Sequence, residues 1–219
     1  MSAIRMRNPI ADFAFRSNLI RSFRDRLKIR SWHNAGEPAP PPNAVKRRIV
    51  ASYASLFGAE TFIETGTLYG DMDYSMKDRF KSIYSIELNE DLWRRAARRF
   101  RHYRHIQILH GDSGEVLPQI LEHVSCKCLF WLDGHYSGGI TAKGIMETPI
   151  MKEIQVILQH PVKGHVILID DARCFDGTRD YPKLNELKDF IASRAPDYMF
   201  STVKDVIRIH PRTDAQPDF

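Results

Sequence analysis

From residue 61 to residue 210, short apolar runs alternate with segments of helical periodicity, and that alternation constrains the fold more than any other feature of the chain. Thr61–Glu64, Ser82–Glu87, Ile106–His110, Cys128–Leu132 and His165–Ile169 read as strands. The segments between them predict helices running to about Phe80 and over Glu90–Tyr103, Gly114–Val124 and Pro149–Gln159, with a further helix over Pro182–Arg194. A helix is also predicted ahead of the first strand, from Asn43 as N-cap to Phe57, where Gly58 stops it. Tyr198–Val203 and Val206–His210, parted only by Lys204-Asp205, predict a closing hairpin. Apolar strands that each feed a helix make a parallel sheet covered on both faces, so the fold class is α/β, doubly wound, with an antiparallel addition at the end.

In such a sheet, ligands bind beyond the carboxyl ends of the strands, where the strand order reverses. The first strand runs into Glu64-Thr65-Gly66-Thr67-Leu68-Tyr69-Gly70-Asp71. Glycine at 66 and 70 permits a tight turn and a close backbone approach to a ligand. The spacing Glu-x-Gly-x-x-x-Gly differs from the Gly-x-Gly-x-x-Gly that cradles a pyrophosphate. The carboxylate of Glu64 repels phosphate and suits an ammonium group. Glu87 ends the second strand about 20 residues past the turn, where an acid can accept both hydroxyls of a ribose. The third strand ends in His110-Gly111-Asp112-Ser113. There Asp112 or Ser113 can contact an exocyclic amine, cap the next helix, or do both.

Together, Glu64-x-Gly66-x-x-x-Gly70, Glu87 and Gly111-Asp112-Ser113 resemble the cofactor face of the class I S-adenosylmethionine-dependent methyltransferases, over about residues 44–210. The resemblance implies a Rossmann-like sheet of seven strands, mostly parallel, with S-adenosyl-L-methionine as cofactor. It also implies that Glu64, Thr65, Gly66, Thr67 and Gly70 surround the methionine and ribose portion. Glu87 would then hold the ribose hydroxyls, Asp112 and Ser113 would border the adenine, and Asp133 would orient the cofactor's ammonium. Leu68 departs from the pattern, because many members have a further glycine there.

The fourth and fifth strands end in Asp133-Gly134-His135-Tyr136 and Asp170-Asp171-Ala172. Three carboxylates at adjacent strand ends repel one another unless a cation joins them, and hard oxygen ligands suit Mg²⁺, Mn²⁺ or Ca²⁺. The arrangement is similar to that of the metal-dependent O-methyltransferases, which implies Mg²⁺ held by Asp133, Asp170 and Asp171. The alternative is that Asp133 only orients the cofactor while Asp171 caps a turn. Methyl transfer is an in-line displacement, so the protein mainly positions and deprotonates the acceptor. His135 is the first candidate for the base, or else a supporting hydrogen-bonding residue. Asp133, Tyr136 and Lys143 complete the catalytic candidates. The Gly-rich loop from Tyr136 to Gly144 suits a lid over the acceptor.

The net charge of +5 is localised. Residues 1–42 carry eight basic and three acidic side chains, and the remainder has 24 of each sign. The organisation expected is a basic helical arm over 1–35, a Pro-rich linker over 36–43, the methyltransferase domain over 44–210 and a tail over 211–219. Phe13, Leu19, Ile20, Phe23 and Leu27 share one face of the arm. No apolar run approaches the roughly 18 residues of a membrane span, and Arg5, Arg7, Asp12 and Arg16 interrupt any signal sequence. A cytoplasmic protein with three reduced cysteines is therefore expected. Arg94, Arg95, Arg98, Arg99 and Arg101 read as a solvated helix face, or with the arm as a nucleic-acid surface. The expected function is O-methylation of a small-molecule acceptor, a sugar or other polyhydroxylated metabolite, with a homodimer as one assembly. The alternatives are an RNA methyltransferase using the arm, a non-catalytic nucleoside-binding module, and an NAD(P)-dependent oxidoreductase. Glu64 and the missing third glycine argue against the last.

Overall fold

The computed structural model describes residues 9–134, 148–215 and 217, with side chains from residue 20 onward. The chain forms two compact units, residues 1–46 and residues 47–219. In the first, α1 (Pro9–Asn34) ends in a turn where the Trp32 indole donates to the Pro38 carbonyl at 2.8 Å. Ile20, Phe23 and Leu27 on α1 are exposed. The helix α2 (Asn43–Phe57) begins in the first unit and ends in the second. No helix among the described residues is long and apolar enough to cross a membrane.

The second unit alternates as the periodicity predicts. In chain order it runs β1 (Thr61–Thr65), α3 (Asp71–Met76), β2 (Ser82–Glu87), α4 (Glu90–Phe100), β3 (Ile106–His110), α5 (Ser113–Leu121) and β4 (Cys128–Leu132). Then follow α6 (Ile150–Gln159), β5 (Val166–Ile169), a 3-10 turn at Ala172–Cys174, α7 (Leu184–Arg194), β6 (Tyr198–Val203) and β7 (Val206–Pro211). The seven strands lie in the order β3-β2-β1-β4-β5-β7-β6, parallel except for β7, which runs antiparallel to both of its neighbours. This is the Rossmann-like sheet. Lys204 and Asp205 both take positive φ, 54° and 60°, as a two-residue type I′ hairpin requires. Helix α3 ends at Met76, short of the expected Phe80, and α4 and α5 end three residues short of the expected Tyr103 and Val124, each passing into turn residues.

Strands β1, β4 and β5 are buried at every position, as strands covered on both faces must be. Ile63, Phe130 and Ile167 pack in one core cluster with Leu117 of α5 and Ile154 and Ile157 of α6. That packing fixes the sheet, and the sheet register fixes the site. Thr65 pairs with Ile86 and Leu132, Glu87 with His110, and Leu132 with Ile169. The strands therefore end in one row. Strand order reverses between β1 and β4, which puts the crevice at Gly66 and Asp133.

Candidate active site at the strand ends

The crevice is closed at its base by backbone. Gly66 sits at φ 86°, and a Cβ there would lie 2.4 Å from the Asp133 carbonyl oxygen, so only glycine fits. Thr65 ties the two strand ends together. Its carbonyl accepts from the Asp133 amide at 3.1 Å, and its hydroxyl accepts from Gly134 N at 3.2 Å. The amides of Gly66 and Thr67 donate to Ile86 O, which links the turn to β2.

Glu87 completes that turn. It is buried, and its carboxylate accepts from Leu68 N at 2.7 Å and from Asn89 N at 2.9 Å. Leu68 holds φ 50°, the left-handed conformation that glycine adopts without strain. Leu68 thus keeps a glycine-like backbone, held in place by Glu87. Asn89 caps α4 through Asp91 N and Leu92 N. Arg99 of α4 clamps the turn from outside, donating to the Tyr69 carbonyl and to Asp71 at 3.0 Å, while Arg95 stacks on the Tyr69 ring at 4.8 Å. Arg95 and Arg99 therefore brace this turn from the surface; Arg98 of α4, and Arg101 and Arg104 beyond its end, are exposed as well.

At the third strand end, Asp112 caps α5 by accepting from Gly114 N at 2.8 Å, and Ser113 opens that helix, buried. The capping role of Asp112 is therefore present. Glu153 of α6 reaches the same spot, facing the hydroxyls of Ser113 and Thr65, and burial pushes its carboxyl up to about 7. Its Oε1 has no hydrogen-bond partner among the described residues.

At the end of β5, Asp170 and Asp171 are buried. Asp170 accepts from the amide of Asp171 at 2.9 Å. Asp171 takes φ 55° and pairs with Arg173 at 2.8 Å, and Arg173 also grips Asp205. The Mg²⁺ expectation meets this geometry badly. Among the described residues no three His, Cys, Asp or Glu side chains gather as a metal site, and the guanidinium of Arg173 engages the Asp171 carboxylate. Asp133, Asp170 and Asp171 thus share the strand-end row without forming a three-carboxylate cluster. Tyr181 is buried nearby; burial first, then the charges of Cys174, Asp171 and Asp133, raise its hydroxyl above the usual range. His135, Tyr136, Lys143 and the lid loop lie outside the described residues.

The sequence does not flag Asp73, Ser85, Glu153 or Tyr181. For two of them a signal exists. Asp73 precedes Met76 by three residues, and Glu153 lies three residues from both Ile150 and Val156 and next to Ile154. Each puts an acid on the buried face of its helix. Such an acid needs a partner or a ligand.

No protein-family model matches the sequence. The chain is 25% identical over 168 residues to the ribosomal RNA small subunit methyltransferase A of Caldanaerobacter subterraneus, a match covering 74% of this chain but only 59% of that protein's length. Among solved structures, it resembles the O-methyltransferase TomG of Streptomyces achromogenes in complex with S-adenosylmethionine, with TM-score 0.58, 15% identity and coverage of 86% of this chain and 89% of that one. It also resembles an O-methyltransferase of Bacillus cereus in complex with S-adenosylhomocysteine, with TM-score 0.56, 13% identity and coverage of 86% and 90%. The fold is that of the class I S-adenosylmethionine-dependent methyltransferases. The row Glu64, Gly66, Glu87, Asp112 and Asp133 lies at the carboxyl edge of the sheet, around the point where strand order reverses.

Proposed function

We propose that this chain is a methyltransferase that moves the methyl group of S-adenosylmethionine to a hydroxyl oxygen of a small polyhydroxylated acceptor, such as a sugar. The observation that carries the cofactor half of this reading is the Gly66 approach. Backbone comes so near Asp133 that no side chain fits, and carboxylates flank the turn where a cationic, phosphate-free nucleoside would lie. The acceptor half rests on Asp133, Asp170, Asp171 and Tyr181, a polar wall suited to hydroxyl groups.

In the reaction, the acceptor oxygen attacks the methyl carbon as the carbon–sulfur bond breaks. The sulfonium becomes a neutral thioether, and the hydroxyl proton passes to a base. Asp133, at the crevice, is the described carboxylate best placed to take it. Holding oxygen, carbon and sulfur in line is the larger part of the catalysis. The described residues do not fit a divalent ion.

The likeness to a small-subunit ribosomal RNA methyltransferase favours a second reading, methylation of RNA, for which exposed Arg98, Arg101 and Arg104 would supply phosphate contacts. One assay separates the two. Formation of S-adenosylhomocysteine is followed with hydroxylated small molecules and with structured RNA, for the wild type and Asp133→Asn. Turnover on small molecules that drops about 100-fold in Asp133→Asn supports the first reading. Turnover on RNA alone, weakening steeply with salt, replaces it with the second.

A further inference from the structure

Asp73, the third residue of α3, is wholly buried; the Glu64 carboxyl and the Ser85 hydroxyl lie beside it, but neither of its carboxylate oxygens reaches hydrogen-bond geometry with a described residue. Its neighbour is the carboxyl of Glu64, itself only 3% exposed. Ser85 serves the pair with a single hydroxyl proton. It donates to Glu64 Oε2 at 3.1 Å and is in turn approached by the Thr67 hydroxyl at 2.7 Å. With one proton from Ser85, both acids are satisfied only when one carboxyl is itself protonated and donates to the other.

No ion pair neutralises either acid among the described residues. Arg99 is bonded to Asp71 and the Tyr69 carbonyl and acts on Asp73 only through its field, while Asp133 adds a further negative charge facing Glu64. The pair lies under the cofactor turn, where a Cβ on Gly70 would come within 3.5 Å of Asp73 Oδ2.

Resting on the cofactor reading above, we propose that Asp73, acting through Glu64, makes the site favour the positively charged methyl donor over the product left after transfer. The ammonium and carboxylate are common to both molecules, and only the donor carries the sulfonium. A buried acid pair with no cation of its own attracts the more cationic ligand and loosens its hold once the sulfur is neutral. Asp73 is thus a positioning and specificity residue that aids product release. The donor also favours full ionisation of the pair, so its entry expels the shared proton. Burial, and the charges of Asp73 and Asp133, raise Glu64 well above the ordinary carboxylate range, and burial lifts Asp73 to about 6, which brings this exchange near neutral pH.

The test is calorimetric titration of the full chain with S-adenosylmethionine and S-adenosylhomocysteine, in buffers of different ionisation enthalpy. The donor is expected to release more protons than the product. The ratio of product to donor dissociation constants should rise about five- to tenfold between pH 5.5 and pH 8. Asp73→Asn should abolish that rise and lower the ratio at pH 8 by a similar factor, with product affinity within about twofold of the wild type. Equal proton release for both ligands, or an unchanged ratio in the variant, overturns the proposal. If the variant does not fold, the pH dependence of the wild-type ratio decides alone. If neither ligand binds the wild type, the cofactor reading itself fails, and this inference fails with it.

Discussion

Replacing Glu87 by glutamine tests both the architecture of the turn and its use. The buried carboxylate accepts two backbone N–H groups, from Leu68 and Asn89, one on each oxygen. These bonds hold the β1–α3 turn against the end of β2 and keep Leu68 in its left-handed conformation. Glutamine preserves the shape but turns one oxygen into an amide donor, so one buried N–H then faces another donor. Losing a charge-assisted bond and orphaning that N–H together cost about 2–4 kcal/mol. For a domain of this size the unfolding midpoint should fall by roughly 5–15 °C. A carboxylate has about four acceptor positions; with two in use, two remain for ribose hydroxyls. Removing the charge should therefore weaken S-adenosylhomocysteine about 10- to 150-fold, the equivalent of roughly 1.5–3 kcal/mol. Thermal unfolding reads the first effect and calorimetry the second. A folded variant that binds S-adenosylhomocysteine within twofold of the wild type would remove Glu87 from the ribose site. A wild-type midpoint would refute its part in holding the turn.

Gly66→Ala should cost about 3 kcal/mol, from the left-handed backbone and the forced retreat of the Asp133 carbonyl, and should abolish cofactor binding; urea unfolding and calorimetry check both, and wild-type binding would overturn the close-approach argument. At the opposite end of the sheet, Cys128 N donates to His165 Nδ1, and partner chemistry then has His165 Nε2 donate to His160 Nδ1 and His160 Nε2 donate to the Leu121 carbonyl, each at about 3.0 Å. Burial, with the charges of His160 and Lys163, lowers His165 to about 4. The folded state therefore prefers neutral His165, its contribution is complete above the unfolded value near 6.5, and it is lost as pH falls toward 4, by about 2 kcal/mol at pH 5. Urea midpoints at pH 7 and pH 5 should show this loss in the wild type but not in His165→Phe; parallel slopes would sink it.

The fold was legible because periodicity acts locally, whereas the candidate site was legible only where a strand end announces it. Cys128–Leu132 is apolar throughout, and both it and Thr61–Thr65 are buried at every position, as strands covered on both faces must be. Once the strands are placed, Glu64, Gly66, Glu87, Asp112 and Asp133 fall at their ends by counting. What counting could not reach is how the charges are disposed. Asp171 sits where a metal ligand was expected, but Arg173, two residues on, and Asp205, in the hairpin turn, use the same guanidinium to hold it in place. That pairing depends on a 3-10 turn and a hairpin meeting in space, for which no local spacing is a sign. Asp73 and Glu153 are the converse case. Glu153 has Ile150, Val156 and Ile157 at helical spacing, so its burial is readable, whereas Asp73 has Met76 but also Lys77; for neither is the partner that makes the burial tolerable readable. Burying a carboxyl without a cation costs several kcal/mol unless it takes up a proton or meets a ligand. Among the described residues Asp73, its neighbour Glu64, and Glu153 are such acids, in a unit that pairs Asp171 and Asp71 with arginines. That contrast makes Asp73 and Glu153 the first residues to change when the specificity of the site is mapped.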